Sequence, residues 1–559
     1  MIESVRLLRG SRARRRPRDG DLLLDARRVL LLVWVIALTA LPLVLRRLVG
    51  IRDTHADIGA RLRRSLQRLG ITYVKLGQFM AMRFDILPEA ICRELAGLFD
   101  KVPPIGSGQV RRTLEEEFGR PVEEVFRDFD WACIAAASVA QVHRATTHEG
   151  DPVAVKVQRP GIARVFAADI RNFRRAAALG DYLRLLGPQS MAEAVDEFDR
   201  YTRREMDFVT EGRTADRLRR GRGPHDTAPR VYWRLTTPRV LTMEFVEGFP
   251  LSEVVRLIEA GRAEEVRALA PGMDIDRAVQ NLTNACLRQL FVTGFFHADP
   301  HPGNIFLRAD ETIVFVDFGI FGQLTDERRE TFASYIEHLA VGNVEQSYRH
   351  FVRLLQPTAL TEMQQLRRDV HRIMHRWHRA SQRGDADVAE RHLGTYFSEF
   401  ITAIRANHVR MGMDTLLFWR AILTLDATAL RFGRRFDLLS ALRDFFVLTR
   451  PTPLERLTAL ATDARLAGRL VRLKQESPAQ VARLASDLQG GAYRQPVSHS
   501  DSAALGRRRD DNARLVALAA LGGSLLVLAA GLPLGATAQA LLWLATLICA
   551  TMIARLARA

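Results

Sequence analysis

The chain has 559 residues, 47% of them hydrophobic and 26% charged, and its 81 basic against 64 acidic side chains give a formal net charge of +17. This length is enough for several structural units, and the apolar fraction excludes a disordered or collagen-like chain. The four cysteines lie far apart with no CxxC spacing, which argues against a disulfide scaffold and a cysteine-based zinc site. Only four basic residues are lysines, and arginine cannot replace lysine where a compact point charge is required.

The N-terminal end combines a basic segment with an apolar run. Seven arginines fall within the first twenty residues, and an apolar run of 17 residues follows at 29–45. As a helix this run would measure about 26 Å, the short end of a membrane span, and Pro42 interrupts its regularity. No small-residue cleavage site follows it, which argues against a signal peptide. We expect a short span, an interfacial helix or a buried helix, and we favour membrane association without requiring the run to cross.

Two uncharged apolar runs lie near the C-terminus, at 515–530 and 540–554. They are separated by a segment that begins with a Gly/Pro turn, and arginines stand at both outer ends. This pattern predicts a transmembrane helical hairpin whose ends share the cytoplasmic side. A buried pair of helices in a soluble domain is the alternative. The segment before the hairpin, 487–512, is polar and rich in glycine and serine, which predicts a linker.

The body between these ends is predicted to have a two-lobed α+β fold. Strand-like runs concentrate in its first half and helical periodicity dominates its second half. The predicted segments are a basic N-terminus with an apolar helix, a helical extension, a mixed N-lobe, a mostly helical C-lobe, the linker and the hairpin, at 1–55, 56–105, 106–246, 247–486, 487–512 and 513–559 respectively.

The strongest chemical signal is the segment 296–306, which contains the pattern HxDxxxxN and is followed, after an apolar strand, by Asp317 at the head of a DFG tripeptide. Phosphoryl transfer requires positioning of the reactants and neutralisation of charge. Asp299 supplies an acidic group for the attacking oxygen, while Asn304 and Asp317 supply the hard oxygen ligands that Mg²⁺ prefers. The order and spacing are close to those of kinases. The sequence therefore predicts a site for ATP and Mg²⁺, with Asp299 as the catalytic residue and Asn304 and Asp317 as metal ligands.

A nucleotide-binding lysine is predicted upstream. Lys156 stands in the strand VAVKV and matches the VAIK strand, whose lysine reaches the α- and β-phosphates and pairs with a glutamate on a helix. The carboxylates that could be this partner are Glu193, Glu197, Glu205, Asp207 and Glu211. The run 241–246 is predicted to be the last N-lobe strand entering a hinge, where the backbone near Glu244 and Val246 would meet adenine.

The loop before Lys156 differs from the GxGxxG loop of ordinary protein kinases. The residues that stand there are Ala135, Ala136, Ala137 and Ser138. Because alanine restricts φ more than glycine does, we expect a stiffer loop that approaches the nucleotide phosphates differently. No APE tripeptide follows the DFG motif, and a helix cap is predicted at 325–327. The sequence therefore does not favour a platform for a protein substrate.

One more segment points to a family. Residues 71–104 contain KxGQ, from Lys75 to Gln78, then RFDILP and DKVPP, and residues 205–207 form an ExD motif. With the alanine-rich loop, the VAVK strand, the HADPHPGN loop and the DFG tripeptide, this set resembles the UbiB family of atypical protein-kinase-like ATPases tied to ubiquinone biosynthesis. The resemblance covers roughly residues 60–450.

The resemblance implies a protein-kinase-like fold whose N-terminal KxGQ extension packs over the cleft where a peptide would otherwise bind. It implies that Lys75 and Gln78 face the nucleotide site as catalytic residues, with Glu205 or Asp207 as partners. Whether Glu205 pairs with Lys156, with Lys75 or with both stays open at this point. By the same resemblance, Lys75 restrains the site.

The predicted function is that of a membrane-anchored, atypical kinase-like ATPase. By resemblance, it would use Mg²⁺-dependent ATP hydrolysis to support ubiquinone biosynthesis by acting on lipid precursors or on the enzymes that modify them. The expected partners are anionic membrane lipids, isoprenoid quinone precursors and quinone-biosynthesis enzymes. Nucleic acid is not expected, because the basic residues flank apolar runs and no RNA-binding motif is found. The expected location is a bacterial inner membrane, with the kinase-like domain in the cytoplasm.

Two alternatives stay open. The first is a small-molecule phosphotransferase, because HxDxHxxN also resembles aminoglycoside- and choline-type phosphotransferases, although those have nothing like the KxGQ segment. The second is a nucleotide-binding scaffold that organises a membrane biosynthetic complex. The complete set of lysine, two aspartates and asparagine argues against an inactive site.

Overall fold

The computed structural model describes residues 23–35, 54–98, 103–182, 191–269, 272–358, 360–382, 393–432 and 436–449. The chain divides into two compact units. One comprises 1–172 and 196–449, and the other comprises 173–195 and 450–559. The described residues of the second unit, 173–182 and 191–195, are helical.

The described residues form an α+β fold. The helices are α1 (23–35), α2 (His55–Leu69), α3 (Ile71–Ala81), α4 (Glu89–Ala96), α5 (Ser107–Phe118), α6 (Val122–Val125), α7 (Ile162–Tyr182), α8 (Met191–Glu205), α9 (Phe208–Arg220), α10 (Leu251–Glu259), α11 (Ala263–Leu269), α12 (Ile275–Arg288), α13 (Asp326–Ala340), α14 (Val344–Val352), α15 (Met363–Gln382), α16 (Leu393–Ala406), α17 (Met413–Phe432) and α18 (Leu438–Thr449). The strands are β1 (Asp128–Ala136), β2 (Ala140–Thr146), β3 (Pro152–Gln158), β4 (Asp226–Thr227), β5 (Val240–Glu244), β6 (Phe249–Pro250), β7 (Phe295–His297), β8 (Ile305–Leu307), β9 (Ile313–Phe315), β10 (Phe321–Gln323), β11 (Leu355–Gln356) and β12 (Arg410–Met411).

The first sheet determines the direction in which Lys156 points. Its four antiparallel strands follow the order β1-β2-β3-β5. In β3, Val153, Val155 and Val157 are fully buried, and they form one apolar cluster with residues of α5 and α6. Because side chains alternate across a strand, Lys156 lies on the opposite face of the sheet.

The second sheet brings the two predicted metal ligands to one edge. Its strands follow the order β4-β9-β8-β6, and Ile305 at the start of β8 is opposite Phe315 at the end of β9. Asn304 immediately precedes β8, and Asp317 lies two residues beyond β9. The backbone N–H of Val316 donates to the carbonyl oxygen of Asn304 at 3.0 Å, so the antiparallel pairing fixes the two loops side by side.

Packing of the extension formed by α2, α3 and α4 explains the glycine of KxGQ. A Cβ placed on Gly77 would lie 2.2 Å from Leu98 Cδ1 and 2.7 Å from Leu66 Cδ1. Both leucines are buried, so they have little room to move aside. The glycine therefore permits close approach of these helices.

Gly77→Ala is expected to lower the free energy of unfolding by about 1 kcal/mol. An overpacking cost of about 1–3 kcal/mol should outweigh a gain in helix propensity of about 1 kcal/mol. Gly108→Ala in α5 is the matched control, because a Cβ there meets no atom within 4 Å. Urea denaturation should show Gly108→Ala to be neutral or stabilising. Equal stability of the two variants would contradict this account of Gly77.

Residues 23–35, which include the start of the N-terminal apolar run, form a helix held by two ion pairs that residues before the run make. Asp25 is buried, and its Oδ1 lies 2.6 Å from Arg171 Nη2, while Arg28 Nη2 lies 2.7 Å from Asp169 Oδ2. Residues 36–53 lie outside the described residues, as does the hairpin predicted within 513–559. Among the helices that the structure describes, none combines the length and apolarity needed to cross a bilayer.

Candidate active site

The loop between β7 and β8 holds Asp299 and Asn304. His297 ends β7, and its Nδ1 accepts a hydrogen bond from the backbone N–H of Asp299 at 3.0 Å. A 3₁₀ turn at Pro302–Asn304 is capped by His301, whose Nδ1 accepts from a backbone N–H at 3.0 Å. Asn304 Nδ2 donates to the carbonyl oxygen of Asp299 at 3.2 Å. The amide oxygen of Asn304 is therefore the atom left for a cation.

Asp317 is held in its ionised form. Its Oδ1 accepts a hydrogen bond from the backbone N–H of Gly319 at 3.1 Å. Burial raises the pKa of Asp317, but the positive charge of Lys156 and the hydrogen bond from Gly319 help to lower it, and the pKa ends below its usual range. The carboxyl group is thus charged at neutral pH, as a ligand of Mg²⁺ must be.

Lys156 is paired with Glu211 on α9. Its Nζ lies 2.6 Å from Glu211 Oε1, and Glu211 is fully buried. Asp207 begins this helix, because its Oδ1 accepts the backbone N–H of Val209 at 3.1 Å. Burial lowers the pKa of Lys156, but Glu211 and then Asp317 raise it above its usual range, so the lysine is charged. Of the five candidate carboxylates, Glu211 is therefore the partner of Lys156.

Lys75 is paired with Glu205 at the end of α8. Lys75 Nζ donates to Glu205 Oε1. One turn further along α3, the ring of Phe79 lies 5.6 Å from those of both Phe198 and Tyr201 on α8, measured between centroids. These contacts answer which lysine pairs with Glu205. Glu205 pairs with Lys75, and Asp207 caps α9.

The Lys75–Glu205 pair lies next to the DFG tripeptide. A Cβ placed on Gly319 would be 3.6 Å from Glu205 Cγ and 3.4 Å from Asp317 Oδ1. Lys75 is also among the charges that lower the pKa of Asp317. Gln78 is placed differently, because its Nε2 donates to the carbonyl oxygen of Leu98 at 3.0 Å. In this structure Gln78 joins two parts of the extension.

The alanine-rich loop forms the connection between β1 and β2. Ala135 and Ala136 end β1 and pair with β2, and the backbone N–H of Ala137 donates to the carbonyl oxygen of Ala140 at 2.8 Å. Ser138 is buried.

An arginine that sequence reasoning missed fixes this loop to the extension. Arg159 Nε donates to the carbonyl oxygen of Ala137, and its Nη2 donates to that of Pro103, both at 2.9 Å. The donor stands directly after β3, and nothing in its sequence distinguishes it from the many other arginines.

The predicted hinge follows β5. The backbone N–H of Glu244 donates to the carbonyl oxygen of Arg230 at 2.8 Å, and its carboxylate lies 3.2 Å from Arg219 Nη1 and 3.4 Å from Arg308 Nη2. Val246 is half-buried in the segment between β5 and β6. The side chain of Glu244 thus forms ion pairs at the start of the hinge. The adenine contact of Glu244 and Val246 stays a prediction.

A second missed residue contacts the predicted catalytic aspartate. Arg420 on α17 places its Nη2 2.6 Å from Asp299 Oδ2, and both side chains are largely buried. The two residues are 121 positions apart, so no local motif could have predicted their contact.

His297 is a buried, neutral imidazole beside these carboxylates. Burial lowers the pKa of His297 to about 4, although Asp317 and Asp299 act in the opposite direction. The unfolded chain takes up a proton on this histidine below about pH 6.5, whereas the folded chain does so only near pH 4. The unfolded state therefore binds more protons in this window, and stability falls as the pH falls from 6.5 to 4.

Comparing pH 7 with pH 5 isolates this contribution. His297→Asn, which keeps a hydrogen-bond acceptor near Nδ1, is expected to reduce the stability lost over that interval by about 2 kcal/mol, as measured by urea denaturation. His148→Asn is the control, because His148 is exposed in the β2–β3 turn. Identical pH dependence in wild type and His297→Asn would refute the buried neutral state.

The residues present fit ATP and Mg²⁺ by the chemistry of their donors. Glu205 Oε2 and Glu211 Oε2 are buried without a hydrogen-bond partner among the described residues, so the site has acceptor capacity that a cation would satisfy. No group of three His, Cys, Asp or Glu side chains within the described ranges forms a self-contained metal cluster. Mg²⁺ suits such a site, since it is usually bound through one or two carboxylates together with phosphate oxygens.

Comparison with known proteins places this geometry in context. Residues 97–351 match the ABC1 atypical kinase-like domain. The Arabidopsis thaliana protein named ACTIVITY OF BC1 COMPLEX KINASE 7, chloroplastic, is 34% identical over 57% of this chain and 45% of its own length. An uncharacterised Synechocystis protein is 33% identical over 56% of this chain and 52% of its own length. The chain thus spans about half the length of the curated relatives it matches. A Mycobacterium tuberculosis protein solved as a complex with erythromycin is 20% identical, with a TM-score of 0.46 over 62% of this chain and 84% of that chain.

One prediction is corrected by these findings. The expected bacterial inner-membrane location is wrong, because the Arabidopsis relative is named as chloroplastic. The kinase-like interpretation of the motifs is confirmed. Residues 97–351 carry an ABC1 atypical kinase-like domain, as the resemblance to the UbiB family predicted.

Proposed function

We propose that this chain is a Mg²⁺-dependent, atypical kinase-like ATPase that supports isoprenoid-quinone, specifically ubiquinone, biosynthesis. The observation that carries the ATP chemistry is the ion pair between Lys156 and Glu211 at 2.6 Å. Asp317 is close enough for the charge of Lys156 to lower the pKa of its carboxyl group. In kinase-like sites a lysine paired in this way holds the α- and β-phosphates of ATP.

Each remaining residue has a role that follows from its surroundings. Asp317 and Asn304 would hold Mg²⁺, which when bound supplies neutralisation of the phosphate charge. Asp299 orients the attacking group through its carboxylate. Lys75 limits access to the site from the side of the extension, because its ion pair with Glu205 lies against the DFG tripeptide.

The arrangement after the DFG tripeptide supports hydrolysis or a small acceptor over a protein substrate. Thr325 caps α13 by accepting the backbone N–H of Arg328 at 3.3 Å, so the chain enters a helix within a few residues of Gly319. This leaves no long segment on which a substrate peptide could lie. We propose lipid precursors of the quinone, or the enzymes that modify them, as the partners. The name of the Arabidopsis relative, which refers to a kinase, agrees with kinase-like chemistry.

The decisive test is phosphate release from ATP by the purified chain with and without Mg²⁺. Asp317→Asn is expected to lower turnover at least about a hundredfold while the fold persists, because the charged metal ligand is lost. Asp310→Asn, an exposed change in the β8–β9 turn, should leave turnover unchanged. Unchanged turnover in Asp317→Asn would overturn the proposal, and phosphate appearing on a small molecule would favour a phosphotransferase instead.

The quinone role needs a separate measurement. Deleting the gene should lower ubiquinone and raise its precursors, and the wild-type gene should restore both. Rescue by the Lys156→Met and Asp317→Asn variants is expected to fail. Rescue by an inactive variant would instead favour a nucleotide-binding scaffold.

A further inference from the structure

The ion pair between Asp299 and Arg420 joins the site to a part of the chain outside the matched domain. Arg420 stands in the middle of α17, well beyond residue 351, where the ABC1 domain match ends. Its Nη2 lies 2.6 Å from Asp299 Oδ2, with only 20% of the arginine side chain and 10% of the aspartate side chain exposed. Arg420 lies outside the KxGQ, ExD, HADPHPGN and DFG motifs.

A second contact shows that α17 holds the same loop in two places. Thr428, two turns beyond Arg420, donates through its hydroxyl to the carbonyl oxygen of Pro300 at 3.2 Å. Pro300 directly follows Asp299. The helix thus fixes both the carboxylate of the catalytic aspartate and the backbone of the next residue.

The helix itself is rigidly placed. Phe418 and Ile422, which flank Arg420, are buried, and the Phe418 ring stacks on Phe332 of α13 with centroids 4.0 Å apart. Arginine on such a helix presents a planar fork in a fixed direction, and it stays charged at any physiological pH. The position of the guanidinium group is therefore determined by core packing.

We propose that Arg420 is a positioning residue for Asp299. By holding Oδ2, it fixes the plane of the carboxylate and leaves Oδ1 to face the attacking group. Among the described residues, Oδ1 makes no hydrogen bond that would compete. This inference rests on the proposed function, because it assigns Arg420 a part in orienting the nucleophile for phosphoryl transfer.

Stability alone does not account for the pair. Two charges taken out of water gain little over well-packed apolar side chains of the same size, so a buried ion pair is weak evidence of a stabilising role. A single carboxylate oxygen placed beside a reacting hydroxyl, in contrast, needs an exact orientation, and misplacement by about 1 Å can cost a hundredfold in rate. The geometry favours the positioning role.

The test is a double-mutant cycle on ATP turnover with the full chain. Arg420→Met is expected to lower kcat by about tenfold to a hundredfold while KM for ATP stays within about twofold, because Lys156 and Asp317 are untouched. Arg420→Lys, which keeps the charge, should recover part of the rate. In an Asp299→Asn background, Arg420→Met should cost less than about twofold more, since the two residues act as one unit.

Arg431→Met is the matched control. Arg431 is on the same helix and also pairs with a carboxylate, Glu259, at 2.7 Å, but the pair is about half exposed. Its removal should leave kcat and KM unchanged. Circular dichroism and thermal melting of every variant normalise the rates to folded protein. If Arg420→Met alone does not fold, comparing Asp299→Asn with the double variant, in which no buried charge is left unpaired, carries the test together with Arg420→Lys.

The outcomes separate this inference from the proposed function. A wild type without Mg²⁺-dependent turnover overturns the proposed function, and the role of Arg420 with it. Wild-type turnover with an unchanged kcat in Arg420→Met overturns the role of Arg420 alone. Losses that multiply in the double variant, or a loss confined to KM, also overturn it, because Arg420 would then act independently of Asp299.

Discussion

Replacing Lys156 by methionine is expected to abolish ATP turnover and to destabilise the chain at the same time. The first effect follows from the loss of the cation that holds the α- and β-phosphates, and turnover should fall by at least about a hundredfold. The second follows from the burial of Glu211, whose side chain is only 2% exposed. Without its partner this carboxylate is an unpaired buried charge, which typically costs roughly 3–5 kcal/mol.

The double variant Lys156→Met/Glu211→Gln separates the two effects. Removing both charges should restore most of the free energy of unfolding, as measured by urea denaturation, because no buried charge is left without a partner. Turnover should stay abolished, since the phosphate-binding cation is still missing. Glu253→Gln, a change at an exposed glutamate in α10, serves as a control for both measurements. If the double variant regains turnover, Lys156 does not bind phosphate.

Phe332→Ala is expected to have the largest effect on stability among changes away from the cleft. Phe332 and Phe418 are fully buried, and their rings stack with centroids 4.0 Å apart between α13 and α17. Truncating a buried phenylalanine removes its apolar contacts and leaves a cavity, which costs about 3–5 kcal/mol. Urea denaturation should show a loss in that range.

Phe332→Ala should also lower the activity of the enzyme. The helix that loses its stacking partner carries Arg420, so turnover per folded molecule is expected to drop as well. Val341→Ala, at the exposed end of α13, should alter stability by less than about 0.5 kcal/mol and leave turnover intact. A loss of less than about 1 kcal/mol in Phe332→Ala would show that the stacked pair contributes little to the core.

Local patterns in the sequence were sufficient for several elements of the site. The VAVKV run predicts a strand that carries Lys156, and β3 includes this run. The cap predicted near Thr325 begins α13. The HADPHPGN loop and the DFG tripeptide predict Asn304 and Asp317 as ligands of Mg²⁺, and antiparallel pairing of β8 with β9 brings these two residues to one edge. In each case the information lies within one segment or in the order of two motifs.

The sequence by itself therefore determined the α+β fold class and the types of residue that carry the chemistry, because periodicity, caps and motif spacing are local properties of the chain. Only the tertiary structure decided which charge pairs with which. Glu205 and Glu211 are six residues apart, but one ends α8 and the other lies within α9, so they serve Lys75 and Lys156 respectively. Asp299 pairs with Arg420, which is 121 positions away in the sequence. Such pairings depend on how helices pack, and packing is set by the whole core rather than by residues near each charge.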